Sequence, residues 1–351
     1  MKCALTFITR ACPRNCLYCD IASTPTKDEL SVGQWIDAFK ILKEIGVTFN
    51  LILGNESWLL GDKLVYIMKW NKVPFAMYTT APQKLFNKYH KRFFTGPIDN
   101  LSCGIDYPLS YILRKGAKIN EATNDIEEKS LDGWMALLMT RFKYPYIDTQ
   151  GMITIHRQNY IMLPFIVSEL KRFGIFTGLN FIHYNKDGNF DFFPGKKVLK
   201  DFLFTSKKHR DSLYQALKDA LAIDGHLIQQ PEVFTFERDT LDYFLDMKWH
   251  CYGVPYGGPT IQSDGSLRCC GYRPGTRTPK FSIFDLTSKE AQRNWRLAVY
   301  DDAHECPGCS WSYPRMYHYW NSMDHKFGEK IFTKHAGKHI PEDQWSDRKV
   351  E

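Results

Sequence analysis

The chain lacks the long apolar runs and the strong charge that would place it in a membrane or on nucleic acid. None of its 351 residues belongs to a stretch approaching the roughly 18 uninterrupted apolar residues of a membrane span. The longest apolar candidate, 161–167, contains Pro164 and is followed by polar residues. The formal charge of +7 is mild for this length and mixed in sign. We therefore expect no membrane partner and no nucleic-acid ligand.

A secretory signal is also missing, because the first ten residues, MKCALTFITR, carry only a short apolar patch and no small-residue cleavage site. We therefore expect a cytoplasmic protein. In a reducing compartment, closely spaced cysteines are metal ligands or catalytic thiols more often than disulfides.

Apolar residues are plentiful, at 44% hydrophobic and 15% aromatic, so a core can form without disulfides and wholesale disorder is excluded. Over the first two thirds of the chain, short apolar runs alternate with amphipathic segments. The predicted strands are 3–9, 47–53, 74–79, 101–106, 152–156 and 178–184, and the predicted helices include 31–45, 159–173 and 205–223. This alternation implies parallel strands joined by crossovers. Periodicity alone leaves open both a partial α/β barrel and an open doubly wound sheet.

The ten cysteines fall into two groups, with only Cys3 and Cys103 standing apart. The first group is the octapeptide CPRNCLYC, residues 12–19, directly after the first predicted strand. Three thiolates so close together can converge on one small iron-sulfur cluster. On a four-iron cube they leave one iron open for a substrate or cofactor. A zinc site, or a fourth ligand from elsewhere in the chain, is the alternative.

This octapeptide, with aromatic Tyr18 before its last cysteine, resembles the signature of the radical S-adenosylmethionine superfamily. The resemblance implies that Cys12, Cys16 and Cys19 hold a 4Fe-4S cluster whose open iron chelates S-adenosylmethionine. It also implies a partial (β/α)6 TIM-like barrel. The chemistry it implies is reductive cleavage of S-adenosylmethionine to a 5'-deoxyadenosyl radical, which abstracts a hydrogen atom from an unactivated carbon. An external one-electron reductant, of the flavodoxin or ferredoxin type, is implied as a partner.

The sequence ILGNES, residues 52–57, stands where the family has a Gly-Gly-Glu-Pro motif. It departs from that motif at Asn55 and Ser57. The resemblance implies that Gly54, Asn55 and Glu56 hold the methionine end of the cofactor, with Glu56 accepting from its ammonium group.

The fourth predicted strand, LSCGIDYP, resembles the family's Ser-x-Asp run near the cofactor ribose. Asp106 matches, whereas Gly104 stands at the usual Ser position. Ser102 lies two residues earlier, on the same face of the strand, and can substitute. The fifth strand keeps only the start of the family's pattern, so adenine contacts are assigned only to the backbone near Tyr18.

The second cysteine group has longer spacings. Thirteen residues separate Cys251 from Gly265 and four separate Gly265 from Cys270, and Cys306 and Cys309 follow as C-x-x-C. Zinc and iron-sulfur clusters accept similar thiolate sets, so a zinc ribbon is one reading.

With the N-terminal motif present, this arrangement resembles the twitch domain, a shortened relative of the SPASM domain. The resemblance implies one auxiliary 4Fe-4S cluster, held by Cys251, Cys270, Cys306 and Cys309. Cys269 is the spare thiol, although adjacent thiols could exchange roles. A cluster with all four positions filled suits electron transfer. The predicted units are a barrel over 1–225, a loop-rich twitch-like domain over 226–310, and an aromatic, basic tail over 311–351 that packs on the barrel.

Cys103 is the one candidate catalytic residue, as a hydrogen-atom donor of the kind that epimerases of this superfamily need. The alternative is a small buried hydrophobic residue, which strand alternation favours because it turns Cys103 away from Ser102 and Asp106. His156, Asn180 and His183 lie near late strand ends and are interpreted as structural.

We expect a maturase that modifies a peptide or protein residue by oxidation, cross-linking or epimerisation. A small-molecule dehydrogenase or epimerase in natural-product or cofactor biosynthesis is the alternative, and a non-catalytic zinc- or cluster-binding module is a third. The barrel begins almost at residue 1, without the leader-peptide-binding domain of many peptide maturases, which weakens the peptide reading. The sequence names neither the substrate nor the oligomeric state.

Overall fold

The computed structural model describes residues 3–14, 16–19, 28–53, 55–71, 73–115, 124–182, 184, 200–224, 238–246, 259–270 and 277–305. Eight strands within these ranges form one sheet in the order β6-β5-β4-β3-β2-β1-β7-β8. They are β1 (Cys3–Phe7), β2 (Phe49–Leu53), β3 (Phe75–Thr79), β4 (Ile98–Gly104), β5 (Asp148–Ile155), β6 (Phe176–Phe181), β7 (Thr260–Ile261) and β8 (Leu267–Arg268).

Helices connect these strands and follow them. Their bounds are α1 (Val32–Glu44), α2 (Asp62–Trp70), α3 (Gln83–Phe93), α4 (Leu109–Lys115), α5 (Asn124–Lys143), α6 (Leu163–Arg172), α7 (Lys207–Asp224), α8 (Arg238–Leu245) and α9 (Lys289–His304). The start of α1 shows how the sequence sets such bounds. Ser31 accepts a hydrogen bond from the Gln34 backbone N–H, and the Gln34 side chain accepts one from the Ser31 N–H, which forms a capping box.

The order of the first six strands decides between the two architectures that periodicity left open. Strands β1 to β6 are all parallel and lie side by side in chain order. A doubly wound sheet reverses its strand order at a switch point, and this series has no reversal among the described strands. The winding is therefore that of a TIM-like barrel. All six predicted strands are confirmed, with small differences at their ends.

The β7–β8 hairpin joins the same sheet at the free edge of β1. Leu5 pairs with Thr260 in parallel, and β7 and β8 are antiparallel. Gly265 turns the hairpin with a φ of +83°, a conformation that glycine adopts at little cost. The sequence SDG, residues 263–265, forms this turn, in which the Gly265 N–H donates to the Gln262 carbonyl at 2.9 Å.

No helix in the described part of the chain is long and apolar enough to span a membrane. Three of the four predicted auxiliary ligands, Cys251, Cys306 and Cys309, lie outside the described residues. The predicted tail over 311–351 lies outside them as well.

Candidate functional site

A cavity of about 250 Å³ opens where the cysteine-containing segment meets the carboxyl ends of the strands. We call residues 12–19 the cysteine loop. Five of its residues line the cavity: Cys12, Arg14, Cys16, Tyr18 and Cys19. The opposite walls come from the ends of β2 to β5 and from α5. In parallel α/β folds this end of the sheet is where ligands bind, because the strand-to-helix loops converge there.

None of the three cysteines of the loop is in a disulfide, and all three line this cavity. Cys16 is buried, while Cys12 and Cys19 are half-buried. The Cys19 backbone N–H donates to the Cys16 carbonyl at 3.0 Å, which turns the chain between these two residues. Burial raises the pKa of the Cys12 thiol to about 11. Burial also raises the pKa of the Cys16 thiol, and binding of a metal group would favour the thiolate form of both sulfurs.

The spacing of the three cysteine thiols indicates which kind of metal group fits this cavity. No three Cys, His, Asp or Glu side chains in the described ranges come close enough together to bind a single metal ion. In a four-iron cluster each thiolate binds a different iron, so the three sulfurs lie farther apart than the ligands of one ion. Three cysteine thiols on one cavity wall are the donor set that such a cluster uses.

A buried polar cluster adjoins the loop. The Tyr18 hydroxyl donates to Asp106, and the Lys129 ammonium donates to both Asp106 and Tyr18. The second carboxylate oxygen of Asp106 accepts from the Thr154 backbone N–H at 3.1 Å. Asp106 is fully buried, and both of its carboxylate oxygens accept hydrogen bonds from protein donors. Tyr18 and Lys129, in contrast, line the cavity. Asp106, predicted from the sequence to lie near the ribose, thus holds the side chains that face the cavity.

Lys129, on α5, is the buried cation among the cavity residues that sequence reasoning missed. Its side chain is only 7% exposed, and its ammonium lies 5.0 Å from the centre of the Tyr18 ring. A Cβ atom at Gly104 would lie 3.1 Å from the Lys129 Cε and 3.2 Å from its Nζ. Gly104, which departs from the family's Ser, therefore leaves the space that Lys129 occupies. That departure was the one signal in the sequence.

In the segment after β2, Asn55 and Glu56 have different environments. Asn55 lines the cavity, and its amide donates to the Arg10 carbonyl. Glu56 is fully buried and accepts from the Thr79 hydroxyl at 2.7 Å and from the Thr80 N–H at 2.8 Å. Burial raises the pKa of Glu56. Its carboxylate ties the end of β2 to the end of β3, and Gly54 lies outside the described residues.

Ser102 lines the cavity and donates to the Gln150 side-chain oxygen at 2.7 Å. The neighbouring Cys103 is fully buried, and α5 packs against its side of the sheet: a Cβ at Gly133 of that helix would lie 3.4 Å from the Cys103 Cβ. This position, turned away from Ser102, fits the structural interpretation. The catalytic role of Cys103 stays a prediction.

The next three residues, His156, Asn180 and His183, are predicted from the sequence to lie near the ends of the late strands. His156 is fully buried with its ring centre 5.3 Å from that of Tyr18, and burial lowers its pKa to about 4. It is therefore neutral near pH 7. Asn180 pairs in register with Thr154 on β5, and His183 lies outside the described residues. At the second cysteine group, Cys269 is buried and Cys270 half-buried directly after β8.

No protein-family model matches the chain, and no curated protein matches it. Solved structures do share its fold. Streptococcus suis SuiB bound to the precursor peptide SuiA has a TM-score of 0.58 and 12% identity, over 88% of this chain and 69% of that one. SuiB bound to S-adenosylmethionine has a TM-score of 0.53 and 14% identity, over 77% of this chain and 60% of SuiB.

A third structure covers nearly the whole of both chains. Native anSMEcpe with bound AdoMet and Cp18Cys peptide has a TM-score of 0.55 and 12% identity, over 95% of this chain and 99% of that one. At such identities the similarity establishes a shared fold. The chain thus has the fold of two proteins whose structures contain S-adenosylmethionine.

Proposed function

We propose that this protein is a radical S-adenosylmethionine enzyme. One observation carries the proposal: three cysteines from one short loop, none of them in a disulfide, line a single cavity at the carboxyl end of the parallel strands. The shared fold with SuiB and anSMEcpe, both solved with S-adenosylmethionine, supports it. Cys12, Cys16 and Cys19 would hold a 4Fe-4S cluster with one open iron.

When bound and reduced, that cluster would supply the electron for cleavage of S-adenosylmethionine to methionine and a 5'-deoxyadenosyl radical, which would abstract a hydrogen atom from the substrate. The protein's part is to bind and orient the cofactor and to exclude water. Lys129 presents a cation to the cavity for the cofactor carboxylate, and Asn55 presents an amide close to the cysteine loop. Ser102 has a hydroxyl on the β4 wall for the ribose.

Two sequence assignments take a modified form in this proposal. Glu56 and Asp106 keep their place near the cofactor, but each acts through the neighbours that its carboxylate holds. Gly54 and the backbone near Tyr18 remain proposed contacts for the methionine end and the adenine.

For the substrate we favour a residue of a peptide or protein. SuiB is bound to a precursor peptide and anSMEcpe to the Cp18Cys peptide, and both share this fold. The second cysteine group would hold one auxiliary 4Fe-4S cluster in a twitch-like unit over 226–310, which would accept an electron from the substrate radical. The tail over 311–351 would pack on the barrel, and an external flavodoxin- or ferredoxin-type protein would supply the first electron.

The function is tested by anaerobic reconstitution of the full chain. We expect brown protein with about eight irons if both sites hold cubanes. On reduction with S-adenosylmethionine it should release 5'-deoxyadenosine. Colourless protein with stoichiometric zinc would contradict the proposal and favour a non-catalytic binding module.

The substrate class is tested separately, with the same reduced protein. Candidate peptides and candidate small molecules, each deuterated at unactivated carbons, are incubated with it and S-adenosylmethionine. Mass spectrometry then shows which class transfers deuterium into 5'-deoxyadenosine. Transfer from small molecules alone would replace the peptide maturase with a small-molecule dehydrogenase or epimerase.

A further inference from the structure

Arg14 lies in the cysteine loop between Cys12 and Cys16, and its side chain is only 6% exposed. Its guanidinium makes ion pairs with two carboxylates of α5, Glu128 at 2.9 Å and Asp132. A buried guanidinium is costly unless charged partners replace its water. The position of Arg14 is therefore set by α5 rather than by solvent.

A second attachment lies on the other side of Cys16. Tyr18 is hydrogen-bonded to Lys129 of the same helix. Residues 128, 129 and 132 thus hold the loop at two points that flank the buried Cys16. Glu128 and Lys129 each lie next to Asp132 on the helix surface, because residues three and four positions apart are neighbours there.

Next to Asp132, α5 lies very close to strand β4 of the sheet. Gly133 lies within this helix, where glycine is a poor choice for helix stability. A Cβ atom there would lie 2.7 Å from the Gly104 carbonyl oxygen of β4, too close for any real side chain. The glycine therefore lets α5 approach β4, and the approach brings its charged residues to the loop.

We propose that Arg14 is a positioning residue that holds the cysteine loop against α5 in its ligand geometry before any cluster is bound. The identity of the ligand rests on the proposed function. The holding of the loop does not, because it involves only side chains of this chain. It can therefore be measured on metal-free protein.

The first test is amide hydrogen exchange on the metal-free full chain, followed by mass spectrometry of peptides. Arg14→Met should lower the protection of the peptide covering 10–19 by about tenfold, the factor that accompanies 1.4 kcal/mol. The peptide covering β4, 98–104, should stay unchanged. Arg92→Met is the matched control, since Arg92 makes an exposed ion pair with Asp62 on the surface.

Two outcomes would overturn the proposal. Unchanged exchange in the cysteine loop would show that Arg14 does not hold it. An equal loss of protection in the loop and in β4 would show that Arg14 supports the whole fold instead of positioning the loop.

A double-mutant cycle tests the partner. Asp132→Asn alone should weaken protection of the loop, and it should add little in a chain that already carries Arg14→Met, because the pair is already broken. Fully additive effects would mean that Asp132 acts elsewhere, which would overturn the assigned pairing.

A third measurement uses reconstituted protein. Arg14→Met should lose iron to a chelator several times faster than Arg92→Met, with an altered electron paramagnetic resonance spectrum of the reduced cluster. Identical iron loss and identical spectra would contradict positioning of the ligands. Wild-type protein that binds no iron would refute the proposed function instead, and hydrogen exchange would then decide the role of Arg14.

Discussion

The two cysteine groups differ in how the fold supports them. The first lies on eight consecutive residues, so one loop and one helix suffice to direct its thiols into a cavity. The second joins cysteines separated by as many as 35 residues, of which the described hairpin supplies only Cys269 and Cys270. Local spacing therefore constrains the first site strongly and the second weakly. Substitutions should separate the two groups by their effects.

The largest effect is expected from Cys16→Ala. Removing one of three ligands should empty the first site, lower the iron content from about eight to about four, and abolish 5'-deoxyadenosine release. Cys3→Ala, the same change at an unassigned cysteine of β1, is the control and should keep both. Iron analysis measures the cluster content, and chromatography of the reaction measures 5'-deoxyadenosine. Full activity in Cys16→Ala would show that the reaction does not need a cluster held by Cys16.

Cys270→Ala should act on the second group alone. We expect the iron content to fall by about four while 5'-deoxyadenosine is still released in the absence of substrate turnover. Cys269→Ala should keep about eight irons, because Cys269 is the spare thiol. If iron is instead lost from Cys269→Ala and retained in Cys270→Ala, the two adjacent thiols have exchanged roles.

Lys129→Met should weaken S-adenosylmethionine binding by tenfold or more, since hydrogen bonds to charged groups contribute about 1.5–3 kcal/mol. Equilibrium binding to the reconstituted, oxidised protein measures this. Lys115→Met is the matched control, because Lys115 pairs with Glu127 at 2.6 Å and is not among the cavity residues. Equal affinities for S-adenosylmethionine in the two variants would show that Lys129 does not bind the cofactor.

Ser102→Ala should have the smallest effect. Loss of a neutral hydrogen bond contributes about 1 kcal/mol, or roughly fivefold in S-adenosylmethionine affinity. Cleavage should continue once the cofactor concentration is raised. A loss as large as that of Lys129→Met would mean that Ser102 also maintains Gln150 in a position that binding requires.

Sequence reasoning recovered the parts of this molecule that depend on local pattern. The six barrel strands follow from apolar runs, and the cysteine loop follows from three cysteines at short spacing. The choice of a barrel required the resemblance, because strand order is a property of the assembled sheet.

Long-range contacts were not predictable in this way. Lys129 lies 23 residues after Asp106 on a helix that carries several other charged residues, and nothing in its sequence neighbours marks it as a cavity residue. The carboxylates of Glu56 and Asp106 match the family's motifs by type. Which donors occupy them depends on β3, β5 and α5, which the motifs do not include.

The pairing of β7 with β1 has a consequence for how this protein can be dissected. β1 is the first strand of the barrel, and its outer edge is covered by the hairpin, with the Leu5 N–H donating to the Pro259 carbonyl at 3.0 Å. A chain cut after α7 would expose that edge as a row of unpaired backbone groups, a template for edge-to-edge association. Truncation would therefore yield aggregates, and the two cysteine groups are best separated one side chain at a time.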